Sequence, residues 1–593
     1  MSLLFNPATY SPSSFDAGTQ QQLMALVDFF ETKGLARNKE EYYSGEWYAD
    51  FVKLIADKKI FATFATPAEV GALVGDEKAR WDLARINELN EILGFYSLAH
   101  WYAWQVSVLG LGPVWLSAND GARGLVAGLL DEGHIFGFGL SEREHGADIY
   151  SSDMILTRTA DGYSASGGKW YIGNGNAAGR LSVYGKFADD DPEHPGEHVF
   201  FLVDPTHPNY ELIKNVVAGQ MYVAAFNLHD YPVAPADILH VGKAAFDAAL
   251  ATVNVGKVNL GWASIGICEH AFYEAVTHAN NRVLYGSRVT DFPHVRRMLA
   301  DAYARLVAMK IFAARSTDYF RCASDEDRRF LLFNPITKAK VTSEGERVVD
   351  LLWDVIAARG FERDTYFSRA AADIRALPKL EGTVAVNIAL VLKFMPRYLG
   401  AAHGAAQEYP PTPVRQDGGD DAYLFHQGPA KGLGSIGFAD WRPVFDRFAH
   451  LPNIALFREQ IDAFTHLVLT APPTEAQQKD LDYLQTLGQL FTQIVYAHLI
   501  LESAGLALDE GQTRPGSVSD LSDLTEAHLD RMFAVFIRDM ADQAVNLHSQ
   551  ASASAAQSAA AMAMVRKPRI DAYAEGAFVS EVLSYSGVYE MKP

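Results

Sequence analysis

Glu381 is a lone carboxylate between an apolar approach, Ala376-Leu377-Pro378-Lys379-Leu380, and a Gly382-Thr383 turn that opens a helical stretch. Surroundings of low polarity make a carboxyl group hold its proton more tightly, so its anion is a stronger base toward a proton on carbon. At a helix start the same residue has a purely structural use, because an acid there suits the helix dipole. Three further segments invite a chemical reading. Phe136-Gly-Phe138-Gly-Leu140-Ser141 runs into a polar loop ending near Asp148. A strand entering such a loop can aim N–H groups and a hydroxyl at a planar, electron-accepting ring. Gly162 to Gly175, with Lys169, Trp170, Tyr171 and Asn174, reads as a Gly-rich turn feeding an aromatic strand, a hairpin whose rings either flank a ring system or pack a core. Arg282 and Tyr285, three residues apart at the end of a long helical pattern, would share a helix face and could grip a pyrophosphate and an adenine; a solvated arginine is the plain alternative.

These residues need elements to position them. Residues 1–132 read as helical, with Leu23, Leu26, Val27 and Phe30 at helical spacing, Gly34 as a stop, and the periodicity repeated over 76–93. Residues 133–242 change to short apolar runs between turn residues, such as HIFGFGLS, LSVYGKF, HVFFLVD and YVAAFNL, which are strand signals. Helical periodicity returns over 243–407, including a long helix near 335–358 and another after 381. A stretch rich in Pro, Gly and Asp, 408–424, reads as a linker, and 425–593 as an additional helical domain. Within the latter, the Ala/Ser-biased run 549–564 is a weak helix former. The fold class is therefore mainly α with a small β domain.

Composition narrows the partners. The 51 Lys+Arg against 72 Asp+Glu give a net charge of −21, which disfavours nucleic acid and anionic lipid as first partners. Two cysteines, Cys268 and Cys322, cannot build a disulfide framework or a thiolate zinc site, and no metal site is expected. Cys268, in an apolar run, reads as a packed hydrophobe. No secretory signal is legible at the N-terminus, which leads to the expectation of a cytoplasmic protein. Ile92 to Asn119 lacks Asp, Glu, Lys and Arg, yet its polar residues and the Gly110-Leu-Gly-Pro113 break fit a buried helix followed by a turn rather than a membrane span. Neither a G-x-G-x-x-G after a strand nor a Walker A motif occurs.

Taken in order, the four segments resemble the acyl-CoA dehydrogenase family over about residues 20–400. The family's D-x(7)-E-G-T pattern is met at Asp373, Glu381, Gly382 and Thr383. The resemblance implies an N-terminal helical domain, a middle β-barrel-like domain and a C-terminal helical bundle, here followed by an extra helical domain. It implies FAD as cofactor and α,β-dehydrogenation of an acyl-CoA to the trans-2-enoyl-CoA. Glu381 would remove the α-proton and flavin N5 would accept the β-hydride. Phe138, Leu140 and Ser141 would line the flavin, with Tyr171 beside the ring. Gly173, where the family has Thr, would offer only a backbone contact. Arg282 and Tyr285 would meet the FAD of a neighbouring subunit, Asp354 would stand where a neutral amide meets FAD, and Thr383 would contact FAD. Ala147 and Gly382 would lie at the substrate. Some family members carry the base on the earlier helix near Gly256-Lys257, where no carboxylate stands here.

By analogy with larger relatives, the C-terminal extension implies a homodimer, and the family implies an electron-transfer flavoprotein as acceptor. Three alternatives stay open: an acyl-CoA oxidase of the same architecture, reoxidised by oxygen; a DNA-binding flavoprotein of the damage-response branch, opposed by the acidic chain; and a scaffold that has lost its flavin. Trp101, Tyr102 and Trp104 fall where the acyl-tail pocket begins or simply build an aromatic core; acyl length is open.

Overall fold

In a computed structural model of the chain, the described residues are 3–400, 417–425, 427, 432–508 and 521–593. The chain starts with helices α1 (Ala17–Ser44), α2 (Ala49–Asp57), α3 (Ile60–Ala65), α4 (Ala68–Val74), α5 (Leu83–Tyr96), α6 (Leu98–Trp115) and α7 (Asp120–Asp131). Short polar side chains set their starts. Asp16 accepts from Thr19 N (3.0 Å) at α1, and Asp82, Ser97 and Asn119 do the same for α5, α6 and α7. Gly34 is a kink rather than a stop: with φ 75° it bends α1, which continues to Ser44 and ends at Gly45, also left-handed. The helix expected over 76–93 begins only at Leu83, after its Asp82 cap. The charge-free stretch is α6 and its approach, and α6 is buried throughout. The expected turn at Gly110–Pro113 does not form. Instead α6 runs on to Trp115, because Gly110 lets it lie on strand β1 (Ile135–Gly139): a Cβ there would be 2.6 Å from Gly137 O.

The middle of the chain is one sheet formed by β1 together with β2 (Ile155–Arg158), β3 (Tyr163–Gly173), β4 (Ala178–Phe187), β5 (His198–Val203), β6 (Tyr210–Asn215), β7 (Val223–Val233) and β8 (Ile238–Val241). Its order is β6-β7-β3-β2-β4-β5-β8, with β1 joined to β4. Strands β1 and β2 run parallel to β4, and the other pairings are antiparallel. The expected hairpin is therefore β2–β3, turning near Gly162; β3 and β4 do not pair. Alternation along β5 sorts its side chains between two cores. Val199, Phe201 and Val203 face the sheet's own interior, while Phe200 and Leu202 join the helical core.

Helix α8 (Lys243–Asn281) is the axis of the second helical region. It crosses α5 closely through small residues, since a Cβ on Gly94 would be 2.5 Å from Ala263 O. Arg282 caps α8, and the chain then forms a two-residue hairpin, β9 (Val283–Leu284) and β10 (Ser287–Arg288). The expected helix face shared by Arg282 and Tyr285 does not exist: Tyr285 (φ 53°) and Gly286 (φ 82°) are the two left-handed positions of a tight turn. Next come α9 (Pro293–Arg321), α10 (Phe330–Ile336), a π-helical turn at Thr337–Val341, α11 (Thr342–Ile356), α12 (Phe367–Asp373), α13 (Val384–Leu392) and α14 (Met395–Leu399).

Most of the stretch expected as a linker, 408–416, lies outside the described residues, but its end is docked. Asp420 accepts from Trp81 N (2.6 Å) and Asp421 from Leu83 N (2.8 Å). Beyond it lie α15 (Arg442–Arg447), α16 (Pro452–Thr470), α17 (Leu481–Leu508), α18 (Glu526–Ser549), α19 (Ala555–Met562) and α20 (Ala572–Ser584). The Ala/Ser run thus ends one helix and forms a second, short one. Helix α17 is long and apolar enough to cross a membrane, and its most apolar window is 83% buried among the other helices. Helix α18 is tied to α9 by Arg305, which donates to Asp539 (2.7 Å) and Glu344 (2.5 Å), and by Arg531 with Asp301 (2.6 Å). Residues beyond α20 return to α1, where Lys592 O accepts from Leu35 N (2.7 Å) and Tyr589 donates to Glu31 (2.7 Å).

Candidate active site

Glu381 sits between α12 and α13 with φ 52°, and Gly382 follows with φ 84°. A bulky residue in the left-handed region is strained, and such strain collects at functional positions. Two anchors hold the turn. Thr383 caps α13 by accepting from Val386 N, and Asn387 Nδ2 donates to the carbonyls of Gly382 and Thr383 (3.0 Å each). The Glu381 side chain is thereby turned inward onto α8 at Gly256, where any Cβ would land on its Oε2. The two places where a base could stand are thus one place in space, and glycine at 256 makes room for the carboxylate from 381.

Oε1 of Glu381 accepts from Gln105 Nε2, while Oε2 is buried and has no hydrogen-bond partner among the described residues. Among the described residues the backbone N–H of Glu381 likewise meets no acceptor. Burial pushes the Glu381 carboxyl up to about 7, against the opposing pull of the Gln105 hydrogen bond and the charges of Lys338 and Lys257. Those two amines feel the same desolvation in reverse: burial pushes Lys257 down to about 8 and Lys338 to about 7. Lys338 lies on the π-helical turn and donates to Pro378 O (2.6 Å). Lys257 lines a cavity of about 120 Å³ with Asn254, Pro335, Phe394 and Gln427.

Two of the other sequence segments, the loop after β1 and strand β3, are joined to each other. Lys169 on β3 donates to Glu142 (2.6 Å) and to Leu140 O (3.2 Å), and Trp170 N donates to Ser141 O (3.0 Å). Burial works against the charge on Glu142, but Lys169, Ser152 Oγ and Asp153 N more than offset it and hold the carboxyl below the usual range. Composition and spacing held no hint of this clamp, although Glu142 and Lys169 stand inside the two segments it joins. Glu142, His145 and Asp153 bring possible metal-ligand atoms within 4.8 Å of one another, but the cation that Glu142 holds is Lys169. The clamp presents Leu140 and Ser141, both half-buried, beside Tyr171, which has φ 66° and is 58% exposed. Phe138 is buried in the helical core that Leu140 also packs against, and it stacks on Phe200 at 5.9 Å.

Gly173, at the end of β3, explains its own identity. A Cβ there would lie 2.6 Å from Val106 and 2.8 Å from Tyr102, so a threonine has no room. Tyr102, Gln105 and Val106 share one turn of α6, which therefore meets both the end of β3 at Gly173 and the Glu381 carboxylate. Asp373, eight residues before Glu381, is not part of this site. It is buried against Arg369 (3.1 Å), whose guanidinium also reaches Ser97 and Asn38, so its role is to anchor α12. Arg282, Tyr285 and Asp354 make no hydrogen bond or ring contact with the Glu381 group among the described residues. Tyr285 is 98% exposed at its hairpin tip, Asp354 is exposed on α11, and Ala147 is exposed in the loop after β1.

Comparison with known proteins bears on this arrangement. Residues 246–395 match the sequence model of the family described as "Acyl-CoA dehydrogenase, C-terminal domain". A short-chain-specific acyl-CoA dehydrogenase of Megasphaera elsdenii is 26% identical over 284 residues, 46% of this chain and 72% of its own length. An acyl-CoA dehydrogenase of Bacillus subtilis is 24% identical over 296 residues, 48% and 75% respectively. Among solved structures, an acyl-CoA dehydrogenase from Bacillus anthracis complexed with FAD superposes with TM-score 0.72 at 16% identity, covering 97% of this chain and 96% of that one. The butyryl-CoA dehydrogenase of Megasphaera elsdenii gives TM-score 0.56 at 19% identity and covers 65% of this chain and 99% of its own. The helices beyond the linker are therefore outside the smaller neighbour's architecture and within the larger one's.

Proposed function

We propose that this chain, whose residues 246–395 match the acyl-CoA dehydrogenase family, is an FAD-dependent enzyme that dehydrogenates an acyl-CoA across its α,β bond, with Glu381 as the base. One observation carries the reading: a buried carboxylate whose Oε2 has no partner, titrating near neutrality, beside an N–H that is also unengaged. A general base works best when its pKa lies near the working pH and its acceptor oxygen is free to meet the proton. Oε2 takes the α-proton; the N–H of Glu381 and the turn at Gly382 polarise the thioester carbonyl, which acidifies that proton.

The residues fit FAD. The clamped ledge offers Leu140, the Ser141 hydroxyl and the exposed face of Tyr171 to a planar ring. The Arg282 guanidinium makes no ion pair among the described residues and stands at the base of the hairpin whose tip carries the exposed Tyr285, a cation and a ring suited to a pyrophosphate and an adenine. The projection of this hairpin from the body of the chain supports their use toward a neighbouring subunit, hence a homodimer. Bound FAD supplies the acceptor for the β-hydride. An electron-transfer flavoprotein is the proposed onward acceptor, in a cytoplasmic setting.

Anaerobic titration of the purified yellow protein with saturated acyl-CoAs from short to long tests the reading, with the flavin absorbance as readout. Bleaching by one chain-length class, lost in Glu381→Gln, is expected. Bleaching that survives Glu381→Gln removes the base. Peroxide release on readmitting air would transfer the enzyme to the oxidase branch.

A further inference from the structure

Glu381 is held from a distance by an unbroken line of side chains drawn from α5, α6 and α8. Trp101 Nε1 donates to Asn90 Oδ1 (2.8 Å), Asn90 Nδ2 to Asn259 Oδ1 (2.9 Å), and Asn259 Nδ2 to Gln105 Oε1 (2.7 Å). Gln105 Nε2 then donates one proton to Gly256 O (3.2 Å) and the other to Glu381 Oε1. Asn90 Nδ2 places its second proton on Ile86 O (2.8 Å). The four residues of the line are buried, so no water competes for these groups.

A side-chain amide can present either its oxygen or its nitrogen to a neighbour. An indole cannot, because its N–H only donates. Trp101 therefore fixes Asn90 with its oxygen toward the indole. Asn90 must then donate to Asn259, Asn259 to Gln105, and Gln105 to the carboxylate. Flipping any one amide would set two donors or two acceptors face to face in a buried place, which is costly. We propose that Trp101, Asn90, Asn259 and Gln105 are positioning residues that form a one-way hydrogen-bond relay. Its obligate donor, the indole, guarantees an N–H at Oε1 of Glu381 and so reserves Oε2 for the substrate proton. The proposal rests on the reading of Glu381 as the base.

The relay has an electrostatic consequence. A donor aimed at a carboxylate favours the anion, so the relay opposes the burial that pushes Glu381 up. The other titratable groups facing the carboxylate are Lys257 from α8, Lys338 from the π-helical turn and Tyr102 from α6. Tyr102 is itself pushed further toward the neutral phenol, by burial first and by the nearby carboxylate second.

The test is the ionisation midpoint of Glu381 in the FAD-loaded protein without substrate. It is followed by the pH dependence of the carboxyl infrared bands, with Glu381→Gln as the blank. Gln105→Met, which removes the last donor, is expected to raise the midpoint by about one pH unit or more. Trp101→Phe, which keeps an aromatic ring but leaves Asn90 Oδ1 without its donor, so that only the Ile86 and Gly256 carbonyls still orient the amides, is expected to move it the same way by less. The acid limb of the kcat/KM profile should follow each shift. Asn259→Leu breaks the line in the middle and carries the test if Trp101→Phe does not fold. An unchanged midpoint in Gln105→Met, or in both Trp101→Phe and Asn259→Leu, overturns the relay. Because the infrared midpoint needs no substrate, a shift without acyl-CoA turnover upholds the relay and removes only the reading of the reaction.

Discussion

At the scale of single residues, Glu381 gives up stability for reactivity. Its carboxyl titrates near 7 in the folded chain against an ordinary value of 4.5. The folded state therefore prefers the protonated form. Above pH 7 it bears the full penalty of an ionised buried carboxylate, on the order of 3 kcal/mol at most. That penalty shrinks as pH falls from 7 toward 4.5 and vanishes below it. Two opposite pH dependences are expected. Activity rises through about pH 7 as Oε2 loses its proton. The melting temperature of Glu381→Gln exceeds that of the parent at pH 8, and the gap closes toward pH 5. Differential scanning of both proteins at the two pH values measures it, and a constant gap would show that burial does not perturb this carboxyl. The apparent midpoint belongs jointly to Glu381 and the neighbouring amines, since Lys338 titrates in the same range.

At the scale of elements, the site depends on how closely helices approach one another and the turns between them. Helix α8 admits the Glu381 carboxylate only because residue 256 has no side chain. Gly256→Ala, which raises helix propensity, is expected to leave helix content intact and to lower kcat by about 100-fold, because displacement of a reacting group by about 1 Å has effects of that size. Turnover close to the parent's would mean that the carboxylate has another place to sit. The buried carboxylate of Glu381 and its glycine turn were legible in the sequence because both depend on local identity: an acid after an apolar approach, then Gly and Thr. The strand-to-loop positions of Leu140 and Ser141 were legible for the same reason. The hairpin at Tyr285 was not, since the helical period carried into it and the left-handed pair Tyr285-Gly286 left little trace beyond one glycine. The course of α6 through Pro113 was hidden because the contact that keeps it straight, Gly110 on Gly137, is a tertiary one. The relay was equally hidden: Asn90, Gln105 and Asn259 come from three different helices, and polar residues in apolar helices look like blemishes until their partners are known.

At the scale of the whole molecule, the sheet has a core of its own, while helices from both ends of the chain share another. Residues past α20 form a clasp that ties α1 to α5 and α8: the Tyr589 ring lies 5.2 Å from that of Phe95 on α5 and 5.4 Å from that of His270 on α8, Gly587 N donates to Thr277 on α8 (2.9 Å), and Pro593 O closes over the Gly34 kink of α1. Removing 586–593 is expected to lower the melting temperature by about 5 °C and to speed amide exchange around Gly34, with the α13–α17 region little affected. Hydrogen exchange read by mass spectrometry tests this, and protection at Gly34 that survives the deletion would show the clasp to be dispensable.

The same clasp sets a timetable. Helix α1 leaves the ribosome about 540 residues before the segment that closes over it. At roughly 5–20 residues per second, that interval is tens of seconds. Throughout it the apolar stripe of Leu23, Leu26 and Phe30 has neither its clasp nor, until α5 and α6 emerge, a surface to lie against. The newborn chain is thus a long-lived client for any holding chaperone, and a polypeptide released before residue 586 carries an unlatched first helix that a protease can recognise.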